Sequence, residues 1–169
     1  MEQYHETGMF SDNDFLNIAQ AAETLHDRMH PGAVKMPKAE YAAIKKNILD
    51  NVPAECKPFV QGLLQYGNNV SLSQRLNELV AASPQKVLAY FIPDTSMFVK
   101  EVLESRNYYT HYTMSGKKHV KQGQELMVLT NRVQVLLVIN LLMYIGFSSD
   151  LIEKLYDNQD YRLRWMLQK

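Results

Sequence analysis

Apolar residues recur at intervals of three and four along most of this chain, and no strict apolar–polar alternation persists. That period gathers them on one side of a helix rather than on one face of a strand, so the pattern predicts a row of helices. Phe15, Ile18, Ala19, Ala22, Leu25 and Met29 form the first stripe. Ser11 and Asp14 have capping-box-like spacing at its start, and His30-Pro31-Gly32 is a breaker at its end. A second helix opens at Pro37, a favoured first-turn residue, with Tyr41, Ile44, Ile48 and Val52 as its stripe. A shorter third follows Pro53 with Phe59, Val60, Leu63 and Leu64, and Gly67-Asn68-Asn69 closes it. Ser71 and Gln74 form a capping box for a fourth, lined by Leu72, Leu76, Leu79 and Val80. Residues 86–92 are a short apolar run that fits either a turn of helix or an extended connector. A fifth helix starts at Pro93-Asp94-Thr95, with Asp94 or Thr95 as cap, carries Phe98, Val99, Val102 and Leu103 inward, and runs to Ser115-Gly116. The sixth, about residues 124–146, is the longest and most apolar, and Gly146 fits its C-terminal cap. A short helix follows Ser148 or Ser149, and the tail from Asp157 fits another. Short connections make neighbours antiparallel, so the fold class is all-α, an antiparallel bundle with short accessory helices. There is no repeat, and no linker is long enough to separate two domains.

Composition narrows the function classes. The chain has 169 residues, 46% of them hydrophobic and 21% charged, which excludes an intrinsically disordered chain. At this length about 70% of the unfolded surface is buried on folding, enough for a self-sufficient core. Eighteen basic and eighteen acidic residues give a net charge of zero, which argues against a histone-like binder. The balance is uneven, however. Residues 1–30 hold six acids and one base, net −5, so residues 31–169 hold 17 bases and 12 acids, net +5. The lone Cys56 excludes an internal disulfide and a cysteine zinc cluster, and is expected to be a buried free thiol in a reducing compartment. The acidic, polar opening does not resemble a signal peptide. The apolar run at residues 135–147 is interrupted by Asn140 and falls short of the roughly 20 residues a membrane span needs. It is expected to be a buried core helix of a cytoplasmic protein with no membrane partner.

One segment departs from the bundle pattern: Arg106-Asn107-Tyr108-Tyr109-Thr110-His111-Tyr112, near the end of the fifth helix. Asn107 and His111 are four apart and neighbours on one face. Arg106 is turned about 100° from Asn107 and meets Thr110. Two copies packed around a twofold axis would present two arginines and two histidines to a shared cleft. These residue types suit phosphodiester chemistry without a metal. A histidine shuttles protons near neutral pH, a guanidinium holds phosphate oxygens and stabilises charge developing on them, and RNA supplies its own 2′-hydroxyl nucleophile. Asn107 either orients His111 or bonds the phosphate. The plain alternative is that Arg106 and His111 simply favour a helix C-terminus, as cations do. The adjacent loop places Lys117, Lys118, His119 and Lys121 where they can attract an RNA backbone. Tyr108 and Tyr112 either stack on unpaired bases or pack within the bundle. His26, His30 and His119 have no third ligand at metal-site spacing, so no metal is expected. Glu23, three residues before His26, is a candidate to support the site from the first helix.

The hexad Arg-Asn-x-x-x-His resembles the Arg-(polar)-x(3–5)-His signature of HEPN domains, and its wording is most similar to the Apea-like HEPN group. Phe15-Leu16-Asn17 through Glu23-Thr24-Leu25-His26 resembles that group's opening helix, and residues 70–79 resemble its middle segment. The resemblance covers about residues 10–156 of what reads as one domain over 1–169. It implies a metal-independent endoribonuclease, without cofactor, that leaves 2′,3′-cyclic phosphate and 5′-hydroxyl ends and acts as a toxin or abortive-infection effector against phage. It also implies a homodimer with a composite site, in which His111 and Arg106 act and Asn107 is the polar residue after the arginine. An antitoxin or an attached regulatory domain is a further implied partner. Longer members carry this domain behind another, so the chain reads as either a standalone member or a C-terminal fragment. Some HEPN domains are instead non-catalytic dimerisation or RNA-binding modules that regulate a partner domain.

Overall fold

The computed structural model describes residues 12–112 and 118–158. Ser11, the expected first cap, and the tail beyond Asn158 lie outside them. Among the described residues there are eight α-helices: α1 (Asp12–Met29), α2 (Lys38–Asp50), α3 (Lys57–Leu63), α4 (Leu72–Ala82), α5 (Gln85–Phe91), α6 (Thr95–His111), α7 (Gly123–Tyr144) and α8 (Ser149–Asn158). A 3-10 turn, Ala54–Cys56, precedes α3. The one extended pairing among them is an isolated bridge between Val34 and Asn69, so the all-α reading holds.

The chain forms two compact units. The larger contains α1 and α4 to α8, and its core lies where α1, α4, α6 and α7 meet. Phe15, Ala19, Ala22 and Leu25 of α1 are buried, as the stripe requires, and so is His26. Its imidazole Nε2 lies 2.6 Å from Glu78 Oε2 on α4. Arg75, also on α4, pairs with Asp27 of α1. From α6 come Phe98, Val99 and Val102, and from α7 Leu126, Leu129, Val133, Leu136 and Ile139. Residues 85–91 are helical, because a seven-residue helix after Pro84 puts Val87, Leu88 and Phe91 inward. α5 meets α8 through Lys86, whose ammonium is 2.9 Å from Asp157, and through the Phe91 and Tyr156 rings, 5.4 Å apart and edge to face.

By length and composition α7 is apolar enough to cross a membrane, yet eight of its residues are buried in the bundle. One of these is Asn140. Its Nδ2 lies within hydrogen-bonding distance of Leu79 O (3.2 Å), Ser83 Oγ (3.0 Å) and Leu136 O (2.9 Å), tying α7 to the end of α4. Asn140→Ala strips these acceptors of a buried donor and is expected to destabilise the fold by about 1–3 kcal/mol, read as a lower denaturant midpoint at unchanged slope.

The smaller unit, His30–Ser71, holds α2 and α3. Gly32, the last residue of the breaker, turns the chain with φ 76°. Here the expected stripes are out of phase. Ile44 and Ile48 are exposed, while Tyr41, Lys45 and Leu49 are half-buried. The reason is a local anchor: the Tyr41 hydroxyl donates to Leu64 O at 2.6 Å, and this fixes which side of α2 faces α3. Gly67 leaves room for that ring, since a Cβ there would collide with the Tyr41 hydroxyl. Phe59 (71% exposed) and Leu63 (63%) likewise face outward. Cys56 is exposed rather than buried, because it ends the 3-10 turn and sits at the mouth of α3.

Candidate functional site

α6 begins where the sequence predicts. The Asp94 side chain accepts the Met97 N–H at 2.8 Å, satisfying one of the orphan donors of the first turn. The helix ends earlier than expected, at His111, because Tyr112 adopts a left-handed conformation with φ 51° and ψ 31° and its N–H returns to Tyr108 O. A tyrosine in that region costs roughly 1–2 kcal/mol relative to glycine. The stop leaves His111 exposed on the last turn, where the terminal backbone carbonyls favour a cation.

One turn back, Arg106 is 34% exposed and leans toward α1, with Nη2 3.7 Å from Glu23 Oε1. That carboxylate oxygen is buried and has no hydrogen-bond partner among the described residues. The separation is an ion pair rather than a hydrogen bond, so Glu23 directs the guanidinium without saturating its donors. Asn107, half-buried, shares a face with His111, and Thr110 donates to Arg106 O at 2.7 Å. The structure therefore places Arg106, Asn107 and His111 on the final turn and a half of one rigid helix, with an acid facing the arginine from a second.

Of the basic loop, Lys117 lies outside the described residues. Residues 118–122 run back along α6 and are held there by three hydrogen bonds. His119 N–H donates to Glu104 Oε2 (2.7 Å), Lys121 N–H donates to Ser105 Oγ (2.9 Å), and the Tyr109 hydroxyl donates to Lys121 O (2.9 Å). The Lys121 ammonium lies 3.2 Å from Glu101 and 3.7 Å from Glu125, so its charge is met within the chain. Lys118 is exposed and the His119 side chain half-exposed. The sequence pattern singles out none of Glu101, Glu104 and Ser105 as anchors. Their trace is the polar pair Glu101 and Ser105, four apart on the otherwise apolar inner face of α6.

The tyrosines divide. Tyr109 is buried against Phe15, rings 6.1 Å apart and edge to face. Tyr108 packs edgewise on both Tyr109 (4.9 Å) and Tyr112 (5.7 Å), while Tyr112 itself is 68% exposed. Burial, with Asp12 adding to it, pushes the Tyr109 phenol up to about 12. Its folded value lies above the unfolded 10, so its contribution to stability is complete below pH 10 and is lost as pH rises through the folded value. Burial raises the Tyr156 phenol as well, and spectrophotometric titration is expected to show a late-ionising component near the Tyr109 value that is lost in Tyr109→Phe.

A family model for Apea-like HEPN domains matches residues 16–151. The chain belongs to the Apea-like HEPN family. Neither the curated proteins nor the solved structures give a significant match. In this HEPN domain the match runs from α1 to the start of α8, so it takes in Glu23, the Arg106–His111 hexad and the strap at 118–122. HEPN domains commonly bind RNA and dimerise, and membership supports a nuclease or other RNA-related or defence role.

Proposed function

We propose that this HEPN domain is a metal-independent endoribonuclease, acting as a dimer in phage defence as a toxin or abortive-infection effector. The observation that carries the reading is the placement of Arg106, Asn107 and His111 on the terminal turns of α6 with Glu23 facing Arg106. His111 takes the proton of the 2′-hydroxyl. The oxygen attacks the adjacent phosphorus, the bond to the 5′-oxygen breaks, and that oxygen leaves with a proton from a second acid, for which the second copy's equivalent histidine is suited. Arg106 stabilises the charge gathering on the phosphoryl oxygens, and Asn107 orients the imidazole or bonds the phosphate. The products are a 2′,3′-cyclic phosphate and a 5′-hydroxyl. Lys117, Lys118 and His119 attract the RNA backbone, Lys121, its charge met by Glu101 and Glu125, acts instead through its hold on α6, and Tyr108 and Tyr112 stack on unpaired bases. The compartment is the cytoplasm, and an antitoxin or attached domain restrains the activity.

The test is incubation of the purified protein with RNA in EDTA, with mapping of the product ends. Cleavage leaving cyclic phosphate and 5′-hydroxyl ends is expected. RNA bound but intact would instead identify a non-catalytic module that regulates a partner domain.

A further inference from the structure

Over its C-terminal half α7 is apolar on both sides. Val133, Leu136 and Ile139 are buried in the bundle. Val138 (40% exposed), Leu141 (46%) and Ile145 (61%) are spaced three and four apart on the opposite side, as a stripe turned out to solvent. Tyr144 (55%) flanks the stripe, and the Phe147 N–H donates to Leu142 O at 3.0 Å, which places Phe147 at its C-terminal end. A helix that is apolar all round is normally covered all round, so the outer stripe calls for a covering surface. The five exposed side chains present roughly 500 Å2, toward the upper end of the largest apolar patch on a typical monomer. Each partner in a standard specific interface gives about 800 Å2, which an apolar core of this extent and a polar rim supply.

The charge pattern selects the occupant. Residues 133–149 contain no Asp, Glu, Lys, Arg or His. An RNA finds no cation there to meet its phosphates, and a charged protein partner would bury its charges unmet. The first charge beyond the stretch is Asp150, and α8 adds Glu153 and Asp157 against the single Lys154, the wrong sign for anionic lipid. A surface of the same uncharged, apolar kind meets none of these penalties. The chain itself carries one, and a twofold axis brings two copies of a single patch together without like-charge conflict.

We propose that the outer stripe of α7 is a self-association surface that takes a second copy of this chain, with Leu141 at the twofold axis. Val138 and Ile145 pack to either side of it, and the Tyr144 hydroxyl serves the polar rim. The pairing uses none of Arg106, Asn107 and His111, so it stands or falls apart from the catalytic reading.

The test is the mass of the full chain in solution, by size-exclusion chromatography with light scattering over a dilution series. Leu141→Arg places a charge in the middle of the stripe, and Ile145→Lys does so at its end. Both positions are exposed enough for the fold to be kept, which circular dichroism checks. Each folded variant is expected to have half the mass of the wild type. Leu141→Cys combined with Cys56→Ser is expected to form a disulfide-linked dimer on mild oxidation, since side chains at a twofold axis face each other at bonding range, while Lys100→Cys in the same background, exposed on α6, is expected to form none. Equal masses for the wild type and a folded Leu141→Arg protein, no linked dimer from Leu141→Cys, or cosedimentation of the wild type but not Leu141→Arg with phosphatidylcholine vesicles would overturn the proposal, the last by giving the stripe to a membrane.

Discussion

His111→Ala is expected to cut RNA cleavage by about a hundredfold or more, the range over which a positioned acid or base accelerates proton transfer. The unfolding midpoint is expected to stay within a degree or so, because the side chain is exposed at the end of α6. Arg106 gives a complementary result. Arg106→Lys keeps the positive charge and loses the planar fork, so a loss close to that of Arg106→Ala points to bidentate phosphate contact, whereas full retention points to charge alone. Glu23→Gln removes the carboxylate charge facing Arg106 while keeping its shape, and is expected to lower cleavage less than either arginine variant. Initial rates across a pH series on short RNA substrates read all four. Undiminished cleavage by His111→Ala would remove the catalytic reading and leave the binding module.

The second large effect is on stability. Phe15→Ala is expected to cost about 3–5 kcal/mol. The ring is fully buried in the α1–α4–α6–α7 core and packs edge to face on Tyr109. A domain of this size is stable by only about 5–15 kcal/mol, so the loss is a large share of the total and shows as a fall in the chemical denaturation midpoint. Because Tyr109 also bonds Lys121 O, the same substitution is expected to loosen residues 118–122 below the global transition. Hydrogen exchange at the Lys121 N–H is expected to report this.

How far the sequence alone reaches follows from the range of each interaction. α1, α4, α6 and α7 are legible because their stripes repeat over three or more turns and their ends carry local signals, such as Asp94 before α6 and Gly146 (φ 101°) after α7. α5 is not, because seven residues between prolines are too few to distinguish a period. In α2 the period is legible and the phase is not, since Tyr41 selects the inner face by reaching Leu64, twenty-three residues on. The site divides along the same line. Arg106, Asn107 and His111 are close in sequence and readable as a set. Glu23 gains its place only when α1 and α6 pack, since its 3.7 Å approach to Arg106 depends on that packing. The strap is hidden more deeply, for two of its three bonds use the backbone N–H of His119 and Lys121 as donors, and backbone donors leave no mark on residue type.

The bond from Asn140 to the end of α4 also bears on how the molecule is made. α7 is the most apolar helix, and it is synthesised after α1, α4, α5 and α6. Chains leave the ribosome N-terminus first, at some 5–20 residues per second, so the residues that receive α7 are made before it emerges. Leu79 O and Ser83 Oγ accept from Asn140 Nδ2, and that donor loses these partners if the helix is buried elsewhere. The helix thus has a polar address on its partners and a penalty for burial anywhere else, including a bilayer. A chain order that delivered α7 first, as in a circular permutant beginning at Gly123, would expose that helix to the nascent-chain sorting machinery before its receiving surfaces had formed.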